Sequence, residues 1–252
     1  MVCREPYSMS DLSTSFGDQE VAPEQRQELI RNVFRRVAPR YDLMNDLMSF
    51  GIHRLWKRTL AKQVNAADGQ VIVDLAGGTG DVAARLAGWN RTVVVCDPCL
   101  EMMQVGKYRR LDGVRWLAAV GESLPLEANS VDALTIAFGI RNVTHMESAL
   151  KEILRVLKPG GRMLCLEFSK PWGPIRPVYQ LFSRTVIPKL GAWVSRNPDA
   201  YEYLIQSIRR FPDQEEMKSL MQDCGFCNVS YRNMSLGIAC LHVGQKPLAS
   251  TH

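Results

Sequence analysis

The residues with the most chemical meaning lie in one run, Val73-Asp74-Leu75-Ala76-Gly77-Gly78-Thr79-Gly80, between a β-branched stretch and a helical one. Glycines let the backbone turn sharply and approach a ligand with no Cβ in the way. The helix beyond offers unpaired N–H groups. Gly78-x-Gly80-x-x-Ala83 satisfies a relaxed dinucleotide fingerprint, and Asp97 closes the next strand, where a carboxylate can hold ribose hydroxyls. Alone, these features suit NAD. Asp74 weighs against it, because a carboxylate at the mouth of the loop opposes a pyrophosphate and attracts an ammonium group. S-adenosylmethionine has an ammonium, a sulfonium and a ribose and no phosphate, so Asp74 with Asp97 favours it as the ligand. The competing interpretation is a tight turn that binds nothing.

Other candidates are weaker. The chain has seven cysteines, an odd and scattered set, with Cys96/Cys99 and Cys224/Cys227 at C-x-x-C spacing. The pairs are far apart and no histidine cluster supports them, so no metal site is expected. Asp81 opens a helix and reads as a cap. Lys158-Pro159-Gly160-Gly161 reads as helix termination.

The elements that must position the loop follow from periodicity. Apolar Leu29, Ile30, Val33, Phe34 and Val37 have helical spacing within Glu24–Ala38, stopped by Pro39. Helical stretches follow at about 41–48 and 52–64, separated by Ser49-Phe50-Gly51. Short β-branched runs then alternate with helices: Val71–Val73, Thr92–Cys96, Val114–Ala119, Ala133–Phe138 and Met163–Phe168 as strands, Met146–Leu157 as an amphipathic helix. That alternation implies an α/β domain with a mainly parallel sheet covered on both faces. Residues 175–223 read as helices broken by Pro188, Pro198 and Pro212, and two strands follow at about 226–233 and 237–244.

With 252 residues, 46% hydrophobic and 23% charged, the composition is that of an ordinary globular domain and excludes disorder as a description of the whole. The net charge of +5 is carried by residues 155–252. No apolar stretch is long enough to span a bilayer and no secretory signal is visible, so a cytoplasmic location is the default.

Several longer stretches carry a specific resemblance: Tyr41-Asp42-Leu43-Met44-Asn45-Asp46-Leu47-Met48-Ser49-Phe50-Gly51 through Lys57, the glycine loop through Asp81, Phe138-Gly139-Ile140-Arg141-Asn142-Val143-Thr144, Leu166 through Pro171, and Tyr201 through Gln214. Over about residues 25–247 the chain resembles the ubiquinone/menaquinone biosynthesis C-methyltransferase family. The resemblance implies a Rossmann-like class I methyltransferase fold: a seven-stranded sheet with its last strand antiparallel, helices on both faces, and helical additions at the N-terminus and after strand five. It implies S-adenosylmethionine as methyl donor and a ring carbon of a polyprenylated quinol (2-methoxy-6-polyprenyl-1,4-benzoquinol, demethylmenaquinol, or both) as acceptor.

The resemblance makes Thr79 and Asp97 cofactor contacts, alongside Asp74, Gly78 and Gly80 from the loop reading. After strand three, where the family commonly carries a polar pair at the adenine, this chain has Val120-Gly121, whose backbone groups remain available. Ala137 stands where a serine is often found. Arg141 is the leading catalytic candidate: a fixed cation at the strand edge can stabilise a phenolate or orient a water, though it cannot act as a base. Asn142 can orient the same hydroxyl or water, or make a turn. Tyr41 can bind a quinol oxygen from a lid, or pack. His53 is a further base or a structural histidine, Glu167 ends the fifth strand as a supporting partner behind the site, and Met44, Met48, Phe50 and Trp56 either line a prenyl channel or pack their helices.

These expectations divide the chain into a disordered tail, 1–23, and one domain, 24–247, made of a helical lid (24–65), a cofactor-binding core (66–170), a substrate-side helical insertion (171–224) and C-terminal strands (225–247). Residues 170–210 interleave Lys170, Arg176, Arg184, Lys189, Arg196, Arg209 and Arg210 with apolar side chains. This segment is expected to dock on the inner membrane or on a quinone-biosynthesis complex, a homodimer face being the alternative. Nothing points to nucleic acid. Rival functions are methylation of another small aromatic or a sterol-like lipid, and a regulator that binds S-adenosylmethionine without turnover.

Overall fold

A computed structural model describes residues 13–177, 181, 185 and 198–249 of the chain. The chain begins with a two-stranded ribbon, β1 (Ser15–Phe16) and β2 (Gln19–Glu20), then three helices: α1 (Pro23–Val37), α2 (Tyr41–Ser49) and α3 (Ile52–Val64). The ribbon lies where the sequence suggested a loose tail. It is tied to the body because Phe16 stacks on Tyr203 at 4.6 Å. α1 ends at Val37, just before Pro39, as expected. Pro39 sits in the first turn of a 3₁₀ segment, Ala38–Arg40, where a missing N–H costs nothing, and α2 follows directly. Phe50 (φ 49°) and Gly51 (φ 74°) then turn the chain through the left-handed region into α3, at the break the sequence indicated.

The sheet contains β3 (Val71–Leu75), β4 (Thr92–Cys96), β5 (Val114–Leu117), β6 (Val131–Ala137), β7 (Leu157–Phe168), β8 (Cys227–Met234) and β9 (Ala239–Gln245). Its order is β5-β4-β3-β6-β7-β9-β8. The first five strands run parallel, and β9 inserts antiparallel between β7 and β8, as expected for the last strand. The runs of β3, β4 and β6 are buried on both faces, as parallel strands with crossover helices must be, whereas the edge strand β5 leaves Arg115 exposed.

One face packs on α6 (Met146–Val156) and α8 (Gln214–Asp223), with Leu150, Ile153, Met217 and Met221 fully buried. The other packs on α3 and on the short α4 (Ala83–Leu86), through Trp56, Leu60 and Leu86. Helix α5 (Leu100–Lys107) follows β4, and α7 (Pro198–Arg210) precedes α8. Lys158-Pro159-Gly160-Gly161 is not simply a helix stop. α6 ends at Val156, and these residues form an irregular start to β7, where the register against β6 shifts between Val131 and Ala133.

Candidate active site

The loop after β3 turns at the carboxyl edge of the sheet. Ala76 (φ 50°) and Gly78 (φ 55°) both adopt left-handed backbone. A Cβ on Gly78 would lie 2.9 Å from Met102 Cε, and one on Gly139 would lie 2.5 Å from Ala76 Cβ. The loops after β3 and β6 therefore approach too closely for any larger residue at Gly139. Between them opens a cavity of about 250 Å³, lined by Ala76, Gly77, Gly78 and Thr79 of the glycine loop with Asp74, Asp97, Val120, Gly121 and Asn142, and roofed by α1 through Gln27, Ile30, Arg31 and Phe34. Gly80, expected among the cofactor contacts, does not line it; a Cβ there would lie 2.8 Å from the Trp116 ring, so this glycine serves packing.

Both strand-end carboxylates are buried, Asp74 at 1% and Asp97 at 7% exposure. Asp74 accepts from the Thr135 hydroxyl at 2.8 Å and from the Ala83 amide at 3.1 Å. Asp97 accepts from the amides of Gly78 (2.9 Å) and Cys99 (2.8 Å). Burial pushes Asp74 up to about 7 and Asp97 up to about 6. Both carboxylates line a cavity whose shape depends on glycine, which suits a cationic ligand without phosphate.

Thr79 lines the same cavity, but its hydroxyl donates to Asp42 of α2 at 3.1 Å. Asp42 also pairs with Arg109. Asp81 is not a helix cap: α4 begins two residues later, and Asp81 binds Lys57 at 3.0 Å and pairs with Arg85. Burial would raise its pKa, but Lys57 and Arg85 outweigh this and hold the carboxyl at about 2. No group of His, Cys, Asp or Glu able to hold a metal occurs among the described residues.

A second cavity, of about 440 Å³, lies beside the first and is mainly apolar. Val37, Met44, Met48, Phe50, Trp56 and Phe168 are among its lining residues. The four residues proposed for a prenyl channel thus come together. Phe34, Tyr41 and Phe138 line both cavities, so Tyr41 stands at their junction.

Arg141 faces the apolar cavity and is 5% exposed. Its Nη1 donates to Glu167 at 2.6 Å and to the Phe138 carbonyl at 2.7 Å. Its guanidinium carbon lies 5.6 Å from the Phe168 ring centre, and its Nε is buried without a partner. An unpaired donor on a buried cation is equipped to hold an oxyanion. Burial raises the pKa of Glu167, against the opposing charge of Arg141. Asn142 sits on the cofactor side, its Oδ1 accepting from the Tyr203 hydroxyl at 2.9 Å. His53 also lines the apolar cavity, with Nε2 at 2.8 Å from Asp46. Burial lowers its pKa, although Asp46 opposes this.

Sequence reasoning missed Glu122, which lines the cofactor cavity and accepts from the amides of Thr144 and His145. It also missed Arg26, although a signal was present: position 26 continues the inward stripe of Ile30, Val33 and Val37, and a charge on such a stripe needs a buried partner. Much of the docking segment, including Arg184, Lys189 and Arg196, lies outside the described residues. Of its described cations, Lys170 turns inward to the carbonyls of Arg209 (2.6 Å) and Ile208 (3.4 Å), and Arg210 pairs with Asp18 at 3.4 Å.

This sheet order and a glycine loop flanked by two buried strand-end carboxylates define an S-adenosylmethionine-dependent methyltransferase of class I. A Thermotoga maritima S-adenosylmethionine-dependent methyltransferase shares the fold, with a TM-score of 0.62 at 21% identity over 86% of this chain and 99% of that one. Residues 20–246 match the ubiE/COQ5 methyltransferase family, and the chain belongs to it. Among its relatives, the ubiquinone/menaquinone biosynthesis C-methyltransferase UbiE of Rubrivivax gelatinosus is 57% identical over 95% of this chain and 96% of its own. The protein of the same name from Klebsiella pneumoniae strain 342 is 47% identical over 94% and 98%.

Proposed function

We propose that the chain methylates a ring carbon of a polyprenylated quinol, 2-methoxy-6-polyprenyl-1,4-benzoquinol, demethylmenaquinol or both, in ubiquinone and menaquinone biosynthesis. The observation that carries this reading is the junction: a cavity bordered by two buried carboxylates meets a larger apolar cavity at Tyr41, Phe34 and Phe138, with a buried arginine in the apolar wall. S-adenosylmethionine, when bound, supplies an electrophilic methyl group. Asp74 and Asp97 hold its charged and ribose ends, and the backbone at Val120-Gly121 borders the adenine.

On the acceptor side, Arg141 stabilises the phenolate that makes the ring carbon nucleophilic, and Glu167 holds its guanidinium in place. Tyr41 orients a quinol oxygen, and Asn142 a hydroxyl or water. Phe138, Phe168 and Trp56 exclude bulk water, which strengthens the interaction between cation and phenolate. The bound donor would give its methyl to the ring carbon and leave as the neutral thioether, and Arg141 orients the water that takes the displaced ring proton. A bilayer-soluble acceptor supports work at a membrane surface, read here as the cytoplasmic face of the inner membrane; no described helix is long and apolar enough to cross a membrane. Incubation with labelled S-adenosylmethionine and membranes from quinone-deficient cells tests the assignment. A labelled methyl on a quinone ring is expected, and label confined to a sterol-like lipid or another small aromatic would overturn it.

A further inference from the structure

Arg26 is 2% exposed, and among the described residues its hydrogen-bond partners are backbone carbonyls. Nε donates to Ser15 O at 2.8 Å, Nη1 to Asn142 O and Val143 O at 3.2 Å each, and Nη2 to Arg141 O at 3.1 Å. Three of these carbonyls belong to the end of the 3₁₀ turn Ile140–Asn142 and the residue after it. The end of such a turn leaves carbonyls unpaired and carries a partial negative charge. The planar guanidinium can serve all of them at once, whereas a lysine cannot.

The position matters because of what lies on either side. One turn of α1 beyond Arg26 are Ile30 and Arg31, which with Gln27 and Phe34 roof the cofactor cavity. The loop that Arg26 grips is a wall between the cavities: Asn142, Val143 and Thr144 face the cofactor side, and Arg141 faces the apolar side. The grip is reinforced from the ribbon. Ser15 accepts from Arg26, while its neighbour Phe16 stacks on Tyr203, whose hydroxyl fixes the Asn142 side chain. Lifting α1 away from the cofactor cavity must therefore break the bonds that hold the backbone of Arg141 and Asn142.

We propose that Arg26 is a positioning residue through which closure of α1 over the cofactor seats the loop bearing Arg141 and Asn142. The proposal rests on the quinol methyltransferase reading for its kinetic consequence, but not for its structural one. A ligand under α1 holds the roof down, Arg26 transmits that to the turn, and Arg141 takes its working position only when the cofactor is in place. Binding the two substrates thereby becomes cooperative, with no contact between Arg26 and either of them.

The test compares Arg26→Lys and Arg26→Ala with wild type, using the exposed Glu28→Ala on the same helix as control. In Arg26→Lys, kcat should fall roughly 30- to 100-fold, the scale of a small misplacement of a catalytic group, while S-adenosylhomocysteine affinity stays within about threefold. The tightening of a short-chain quinol analogue by S-adenosylhomocysteine, present in wild type, should vanish. Hydrogen exchange gives a readout independent of the acceptor. S-adenosylhomocysteine should slow the amides of both 77–80 and 140–144 in wild type, but only those of 77–80 in Arg26→Lys. Wild-type kcat with equal protection of 140–144 in the lysine variant would overturn the proposal. So would parallel losses of both affinities with the cooperativity intact, which is the signature of a purely structural residue. If Arg26→Ala does not fold, the lysine variant decides alone. If wild type fails to methylate a quinol, that reading falls, and the exchange experiment still judges the coupling.

Discussion

The two halves of the active site are built on opposite plans. The carboxylates and loop of the cofactor half are local: Asp74, Gly78 and Thr79 lie within six residues, Asp97 at the end of the neighbouring strand, and the parallel pairing of β3 with β4 brings them together. The acceptor half is assembled from α1, α2, α3, the turn after β6, the end of β7 and α7. Its polar groups are few, and some depend on distant segments: Arg141 on Glu167, and Ser235 on the Trp56 ring N–H. A locally built site tolerates change elsewhere; an assembled one depends on each clamp. Variants should therefore separate the halves cleanly, binding being lost from one and turnover from the other.

The sharpest separation is expected at Arg141. Arg141→Ala should lower kcat about 100- to 1000-fold, the scale of losing one preorganised electrostatic group. Calorimetry should find S-adenosylmethionine bound almost as tightly as before, and a joint loss of both would break the contrast. On the other side, Asp97→Ala and Asp74→Asn should each weaken the cofactor by about 1.5–3 kcal/mol, roughly 10- to 150-fold, while turnover at saturation persists.

Glu167→Gln should have a smaller effect. It keeps the shape but removes the charge beside Arg141, and kcat should fall roughly tenfold with unchanged cofactor affinity. The pH dependence belongs to the cofactor half. Asp74 at about 7 and Asp97 at about 6 stand above the ordinary value of 3.8. S-adenosylmethionine binding, which needs both ionised, should strengthen as pH rises from 5 to 8. The same raised values act oppositely on the free protein: their stabilising contribution is complete below about pH 3.8 and is lost as pH rises through about 6 and 7. Thermal melts with and without cofactor should thus diverge with increasing pH. The mildest change is Tyr41→Phe, where one neutral hydrogen bond is worth about 0.5–1.5 kcal/mol and kcat/KM should drop no more than roughly tenfold.

Sequence and structure part company where long-range contacts take over. The central strands β3, β4 and β6 were legible because their β-branched runs are buried on both faces. The Phe50-Gly51 break was legible because glycine marks a left-handed turn. The ribbon at 15–20 was not, because two-residue strands have no periodicity; Phe16 is held by a ring nearly 190 residues away. The role of Lys158-Pro159-Gly160-Gly161 within β7 was likewise hidden, since Pro and Gly signal a break whether the chain enters a loop or a distorted strand.

By itself, then, the sequence determined the class of fold and the cofactor, because hydrophobic period and strand-end carboxylates are local properties that survive without knowledge of neighbours. It also placed Arg141 just after the fourth strand, and the family resemblance made it the catalytic candidate. Only the tertiary structure decided what those groups do to one another. It brought Thr79 onto Asp42, paired Arg141 with Glu167 while leaving Nε open, joined the two cavities at Tyr41, and turned Arg26 onto the carbonyls behind the catalytic loop. The physical reason is desolvation: a buried polar group must find its partner wherever the chain folds one within hydrogen-bond reach, and that partner's distance along the sequence is unconstrained.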